Sequence, residues 1–305
     1  MQILITGGTG FIGRRVVRAL IRGGHRVSVL SRQSPSDVRR LLTSSVRPVQ
    51  SLSAINPSVA FDAIINLAGE PIMAKRWSHQ RKRLLLDSRV GLTNELVDLI
   101  ERLENRPKTL ISCSAVGYYG HHDVAEPQNE SSSAGSDFAA SLCERWEQAA
   151  KRAESLGVRV CIVRTGLVLH QNNGALHEML PPFRLGLGGQ IGSGNQVMSW
   201  IHSDDMTRVI TFLLNNESLK GAFNATSPNP VSNKEFAKAL GRALRRPAVI
   251  PVPAIVLKLL LGESSTMITQ GQKAVPERLQ EAGFTWEQPE IQDALSQLLI
   301  KPSYF

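Results

Sequence analysis

The chain has 305 residues, 42% hydrophobic and 20% charged, an ordinary globular balance that excludes a mainly disordered, collagen-like or low-complexity protein. Three cysteines, Cys113, Cys143 and Cys161, lie far apart with no C-x-x-C spacing, so neither a disulfide framework nor a zinc site is supported. The net charge of +9 is uneven: residues 1–50 hold nine arginines, no lysine and one acid, Asp37, giving +8. A basic first lobe suits a phosphate-rich ligand or nucleic acid. Arg14, Arg18 and Arg22, four apart, also fit a solvated helix face. Aromatics are only 5% and do not alternate with basic residues, which argues against stacking-type nucleic-acid binding.

Elements follow in chain order. Gln2–Thr6 reads as a first strand rather than a signal peptide, since no positive segment precedes it. Phe11–Arg22 has helical spacing, and Arg26–Leu30 is a second strand ending at Ser31-Arg32. Gln33-Ser34-Pro35 opens a loop. Residues 61–67 are a near-continuously apolar strand, hence one buried on both faces. Residues 77–102 form a long helix, 109–112 a strand, 136–153 a helix and 158–164 a strand. This alternation specifies an α/β, doubly wound parallel sheet of Rossmann-like type. Pro181-Pro182 and the glycines from Gly186 to Gly194 then mark a long irregular segment, followed by helices near 234–244 and 277–282. Residues 1–165 and 203–224 are expected to form the nucleotide-binding domain. Residues 166–202 and 225–305 are expected to form a smaller C-terminal substrate lobe. The most apolar late run, 252–261, is about half a membrane span and contains Pro253 and Lys258. A cytoplasmic protein with no membrane partner is expected. Its oligomeric state is not written in the sequence.

The strongest motif is Thr6-Gly7-Gly8-Thr9-Gly10-Phe11-Ile12-Gly13, lying between a strand and a helix. Gly7 permits the tight turn, Gly10 leaves room for a pyrophosphate, and Gly13 lets the helix pack closely. The helix N-terminus then meets the anion. An NAD site usually places a carboxylate about 20 residues on, to hold the ribose hydroxyls. Here Ser31-Arg32 stands instead, a hydroxyl and a guanidinium suited to a 2′-phosphate, so NADP is expected. Leu67, Ala68 and Gly69 end the third strand as small backbone neighbours of the same crevice, and Arg164 ends another strand at that edge.

Together with Ser112-Cys113-Ser114-Ala115, Tyr119-Gly120 and Ile201-His202-Ser203-Asp204-Asp205, these residues resemble the extended short-chain dehydrogenase/reductase superfamily, which includes sugar-nucleotide epimerases and dehydratases. Asn66 to Ile72, Arg76-Trp77, Ser88-Arg89, Met179 to Gly189 and Ile191 to Gly194 resemble its YfcH-type, epimerase-like branch. The resemblance implies Ser31, Arg32, Leu67, Ala68 and Arg89 as NADP contacts, and Ser114 as the active-site serine. One departure is plain: the family's acid/base pair, Y-x-x-x-K, is absent from the chain. Phe138 and Leu142 occupy the aligned positions. The three tyrosines are Tyr118, Tyr119 and Tyr304. His122 and Asp123 stand four residues after the first two.

Ser114 with Tyr118 or Tyr119 is therefore the expected catalytic set, with Lys75, Arg76 or Arg164 as the cation a tyrosine acid needs. Glu70 is a further acid/base or ribose candidate. Arg184 and Gln196 are polar candidates beside a mobile glycine loop. Ser203 reads as a helix N-cap. Two functions follow. One is an NADP(H)-dependent, oxidoreductase- or epimerase-like enzyme acting on a small polar molecule. The other is a non-catalytic NADP(H) sensor.

Overall fold

A computed structural model describes residues 1–121 and 126–300. His122, Asp123 and Tyr304 lie outside the described residues. The first half alternates strands and helices: β1 (Gln2–Thr6), α1 (Phe11–Arg22), β2 (Arg26–Leu30), α2 (Pro35–Leu41), β3 (Arg47–Val49), β4 (Ala63–Asn66), α3 (His79–Leu86), α4 (Leu92–Arg102), β5 (Thr109–Ala115), α5 (Phe138–Lys151) and β6 (Arg159–Thr165). The second half holds β7 (Leu167–Leu169), α6 (Gly174–Arg184), β8 (Val197–Met198), β9 (Trp200–His202), α7 (Ser203–Asn215), β10 (Gly221–Ala225), β11 (Val231–Ser232), α8 (Asn233–Leu244), α9 (Ala254–Leu261), α10 (Thr266–Thr269), α11 (Glu277–Glu281) and α12 (Ile291–Ile300).

Seven strands make one parallel sheet in the order β10-β6-β5-β4-β1-β2-β3. All four residues of β4 and the first six of β5 are buried, as helices on both faces require. Strand order reverses between β1 and β4, so the crevice at a doubly wound sheet's switch point opens where Gly7 meets Leu67. Helix α7 and strand β10 return to this sheet after the β7–β9 excursion, with Gly221 opposite Cys161. Elements β7, α6, β9, α8 and α12 pack around a separate apolar cluster that includes Leu176, Trp200, Phe236 and Leu295.

Four details depart from the sequence reading. The loop expected after Gln33 is a helix: the Ser34 hydroxyl accepts from the Asp37 amide and Pro35 fills the first turn, where its missing N–H is no loss. The long helix from residue 77 begins at His79, and a π-helical turn, Asp87–Gly91, separates α3 from α4. Pro181 and Pro182 lie inside α6, and their carbonyls still accept from the amides of Leu185 and Leu187. Proline's fixed φ is helical; what it removes is donors, not the turn. Finally, His202 caps α7, its ring accepting from the Asp204 amide at 3.1 Å, while Ser203 lies within the helix.

Candidate functional site

The nucleotide side is built by backbone approach. Gly7 has φ +67°, and a Cβ there would stand 2.6–2.7 Å from Leu67 and Ala68 backbone atoms. A Cβ on Gly13 would be 2.1 Å from the Gly7 carbonyl oxygen. Only glycine therefore allows β1, the β4 exit and α1 to converge. Gly10 differs: its backbone is extended, and a Cβ would meet a single atom, the Gly7 oxygen at 3.2 Å. No side chain caps α1, and its first turn has no acid. The amides of Thr9, Phe11 and Ile12 are left where an anion is favoured.

A polar knot sets the height of the Leu67–Gly69 turn. Thr6 Oγ1 donates to Asn66 Oδ1 (2.6 Å) and accepts from the Ala68 amide (3.3 Å). Asn66 Nδ2 donates to Thr93 Oγ1 (2.8 Å) and Ser112 Oγ (3.2 Å), joining β4 to α4 and β5. Arg89 reaches back from the π turn, donating to the Glu70 carbonyl at 3.0 Å and lying over Trp146. Burial lowers its pKa from the usual arginine value. Glu70 is not a solvated carboxylate; it pairs with Arg81 at 2.9 Å. Ser31 is half-buried and its hydroxyl accepts from the Gln33 amide, whereas Arg32 is exposed.

On the other side of the crevice lies a closed cluster. Ser114 Oγ donates to Glu147 Oε1 (2.8 Å), and Arg164 clamps the same carboxylate through Nε (2.9 Å) and Nη2 (3.0 Å). Arg164 also donates to the Tyr119 hydroxyl (3.0 Å), which donates to Asn224 Oδ1 (2.7 Å). Ser114, Glu147 and Arg164 are each at most 3% exposed, and Tyr119 is fully buried. Burial pushes the Tyr119 phenol up to about 12, against the pull of Arg164. Burial also opposes the Arg164 charge, yet Glu147 outweighs it and raises that pKa.

The sequence-derived candidates thus divide. Arg164 is engaged by Glu147 and Tyr119, and the Tyr119 hydroxyl is held between Arg164 and Asn224. Ser114 gives its one proton to Glu147, so toward a ligand it can only accept. Tyr118 is half-buried, with the Arg164 guanidinium 3.5 Å from its ring centroid, so the cation beside it is Arg164 and neither Lys75 nor Arg76. Arg76 lies by Gly262 instead. Gln196 is buried and spans the Ile191 and Ile268 carbonyls, and Arg184 is exposed. Glu147 and Asn224 were not singled out from sequence. Their one signal is a polar residue in an otherwise apolar helix face or strand.

Phe138, at the start of α5, packs edge-on against Trp77 at 5.0 Å. Lys82 Nζ lies 4.7 Å from the Phe138 ring and pairs with Glu263 at 2.7 Å. Leu142, one turn further along α5, is buried. Among the described residues no group of three or more His, Cys, Asp or Glu is arranged to hold a metal.

Residues 3–225 match the NAD dependent epimerase/dehydratase family, and residues 252–298 match a domain of unknown function, DUF1731. The chain is 40% identical to the epimerase family protein SDR39U1 homolog, chloroplastic, of Arabidopsis thaliana, over 98% of this chain and 87% of that one. It is 37% identical to epimerase family protein YfhF of Bacillus subtilis, over 98% of each. A crystal structure of human epimerase family protein SDR39U1 with NADPH superposes with a TM-score of 0.91 at 34% identity, covering 99% of this chain and all of that one. The chain belongs to the NAD dependent epimerase/dehydratase family.

Proposed function

We propose that the protein is an NADP(H)-dependent, oxidoreductase- or epimerase-like enzyme of the YfcH-type branch, acting on a small polar substrate. The observation that carries the cofactor reading is the glycine loop, whose Gly7 and Gly13 contacts leave the space at Gly10 open. The human relative's NADPH supports the phosphorylated dinucleotide. In this reading the amides at the start of α1 hold the diphosphate and the Leu67–Gly69 backbone flanks it. Ser31 and Arg32 take the 2′-phosphate. Arg89 closes the floor beneath Gly69. The bound cofactor supplies hydride transfer, and the protein supplies position and a proton. Tyr118 is the proton-transfer group of this reading, because its ring lies on Arg164 and its hydroxyl is not locked as Tyr119's is. Ser114, restricted to accepting, orients a substrate hydroxyl.

A second reading is favoured by one observation. Phe138 fills the usual acid/base position in an aromatic contact with Trp77, which suits a protein that binds NADP(H) without turnover and signals through a partner. Two measurements test these readings. In calorimetry, Arg32→Ala should weaken NADPH by roughly 10–150-fold and leave NADH nearly unchanged, the loss of one charge-assisted contact. Equal native affinities for both cofactors overturn the NADP reading. In a substrate screen followed by NADPH absorbance, Tyr118→Phe should lower turnover by about 100-fold or more, with NADPH affinity kept. Native turnover in both Tyr118→Phe and Ser114→Ala removes this proton-transfer assignment. Absence of any turnover, with NADP altering a partner complex, selects the sensor.

A further inference from the structure

Ten large hydrophobic side chains are strongly exposed among the described residues, and eight of them fall at 185–187 and 249–260. Leu185 and Val249 are 75% and 77% exposed, and Leu259 and Leu260 are 70% and 64%. The two stretches form one face. The Ile250 amide donates to the Gly188 carbonyl at 3.1 Å, Val252 to Gln190 at 2.8 Å, and Gly192 back to Val252 at 2.9 Å. Helix α9 continues from that ladder. Its sequence is AIVLKLLL, and none of its eight residues is buried. A helix that is apolar all round is normally enclosed, so this one is arranged to be covered.

The charges around the face are mainly basic, with the acids Glu178, Glu235 and Glu263 at the ends of its stretches and Glu263 paired with Lys82. Residues 236–262 contain Lys238, Arg242, Arg245, Arg246 and Lys258 and no acid, and residues 179–203 contain Arg184 and no acid. All six cations are exposed. We propose that this face docks on an anionic lipid surface, α9 lying in the interface with the cations against headgroups. A second copy is disfavoured, because a two-fold contact sets the same basic rim against itself. A protein partner is disfavoured too: the exposed part of the face is aliphatic, without the tyrosine and tryptophan that anchor such contacts. An aliphatic helix with basic flanks is the composition of an interfacial membrane helix. The sequence reading expected no membrane partner because no run is long enough to span one. Surface docking needs less: α9 is only about 12 Å long, and no helix of the described residues is long and apolar enough to cross a membrane.

The test is flotation of the native chain with phosphatidylcholine vesicles, with and without phosphatidylglycerol. Binding should require phosphatidylglycerol and weaken at high salt. Arg242→Ala with Arg246→Ala should reduce partitioning by roughly 30-fold, about fivefold per cation. Leu259→Ser with Leu260→Ser should abolish it. NADPH affinity and circular dichroism should be unchanged in both, which shows that the variants are folded. The proposal is overturned if the native chain does not float with anionic vesicles, or if either double variant floats as the native chain does. It is also overturned if the native chain is a dimer in sedimentation that the leucine variant makes monomeric, since the face is then a contact between copies.

Discussion

The two walls of the crevice handle their polar groups in opposite ways. On the glycine-loop side, backbone passes against backbone at Gly7 and Gly13, and amides at the start of α1 are left without side-chain partners. On the β5–β6 side, Ser114, Glu147, Arg164, Tyr119 and Asn224 satisfy one another's donors, leaving toward a ligand only the accepting oxygen of Ser114. One wall leaves backbone amides open where an anion is favoured. The other is a closed ionic core that shows a single ring, Tyr118, at its edge. Phe138 and Leu142 lie in α5, the helix that carries Glu147 of the second wall, and neither touches the glycine loop.

The comparison breaks first at Gly10. Its backbone is extended, and the added Cβ meets one backbone atom, the Gly7 oxygen at 3.2 Å, a tight contact that a shift of a few tenths of an ångström relieves, so Gly10→Val should still fold. On the proposed reading its branched side chain fills the pyrophosphate space, and NADPH binding should fall below detection in calorimetry. Normal binding by a folded Gly10→Val protein would place the nucleotide elsewhere.

The second wall should answer in stability instead. Glu147→Ala leaves Arg164 charged and buried without its partner, which should lower unfolding stability by about 3–5 kcal/mol in urea titrations. NADPH affinity of the folded protein should stay within a few-fold of native. A large affinity loss at full stability would merge the two walls into one functional unit.

The smallest effect lies beside the first wall. His170, tilted against Phe11 and 3.1 Å from Arg15, has its pKa lowered to about 4 by burial and by the Arg15 charge. The unfolded chain binds the extra proton near 6.5, so between about 4 and 6.5 it holds more protons than the folded chain. This contribution to stability is complete above pH 6.5 and declines as pH falls through that window. His170→Gln should flatten the slope of melting temperature against pH there, and an unchanged slope assigns the acid sensitivity to other groups.

The first wall was legible in the sequence because backbone geometry constrains residue type directly. Three glycines at fixed spacing, between a strand and a helix, mark a turn that few other arrangements of the chain require. The parallel sheet was legible for a similar reason, since doubly buried strands must be apolar runs. The second wall was legible only as a departure. The sequence reading marks Phe138 and Leu142 there, but Glu147 reaches Ser114 through tertiary packing of α5 on β5, and no spacing rule joins residues 33 positions apart. Helix α2 escaped for a local reason. Ser34-Pro35 begins a turn and begins a helix with equal ease, and only the Asp37 amide on the Ser34 oxygen decides between them.

The π turn at Asp87–Gly91 makes chain length, not residue identity, the sensitive quantity at this place. It holds one residue more than a regular turn and presents Arg89 to the Glu70 carbonyl while Arg81, two turns earlier, meets the Glu70 carboxylate. Removing a single residue here converts the wide turn to a regular α-turn, and α3 stays in phase with α4. The Arg81–Glu70 pair, carried by α3, should survive such a deletion, whereas the contact of Arg89 with the Glu70 carbonyl, carried by the wide turn, should not. The extra residue thus serves the floor under Gly69 and not the helix as a whole.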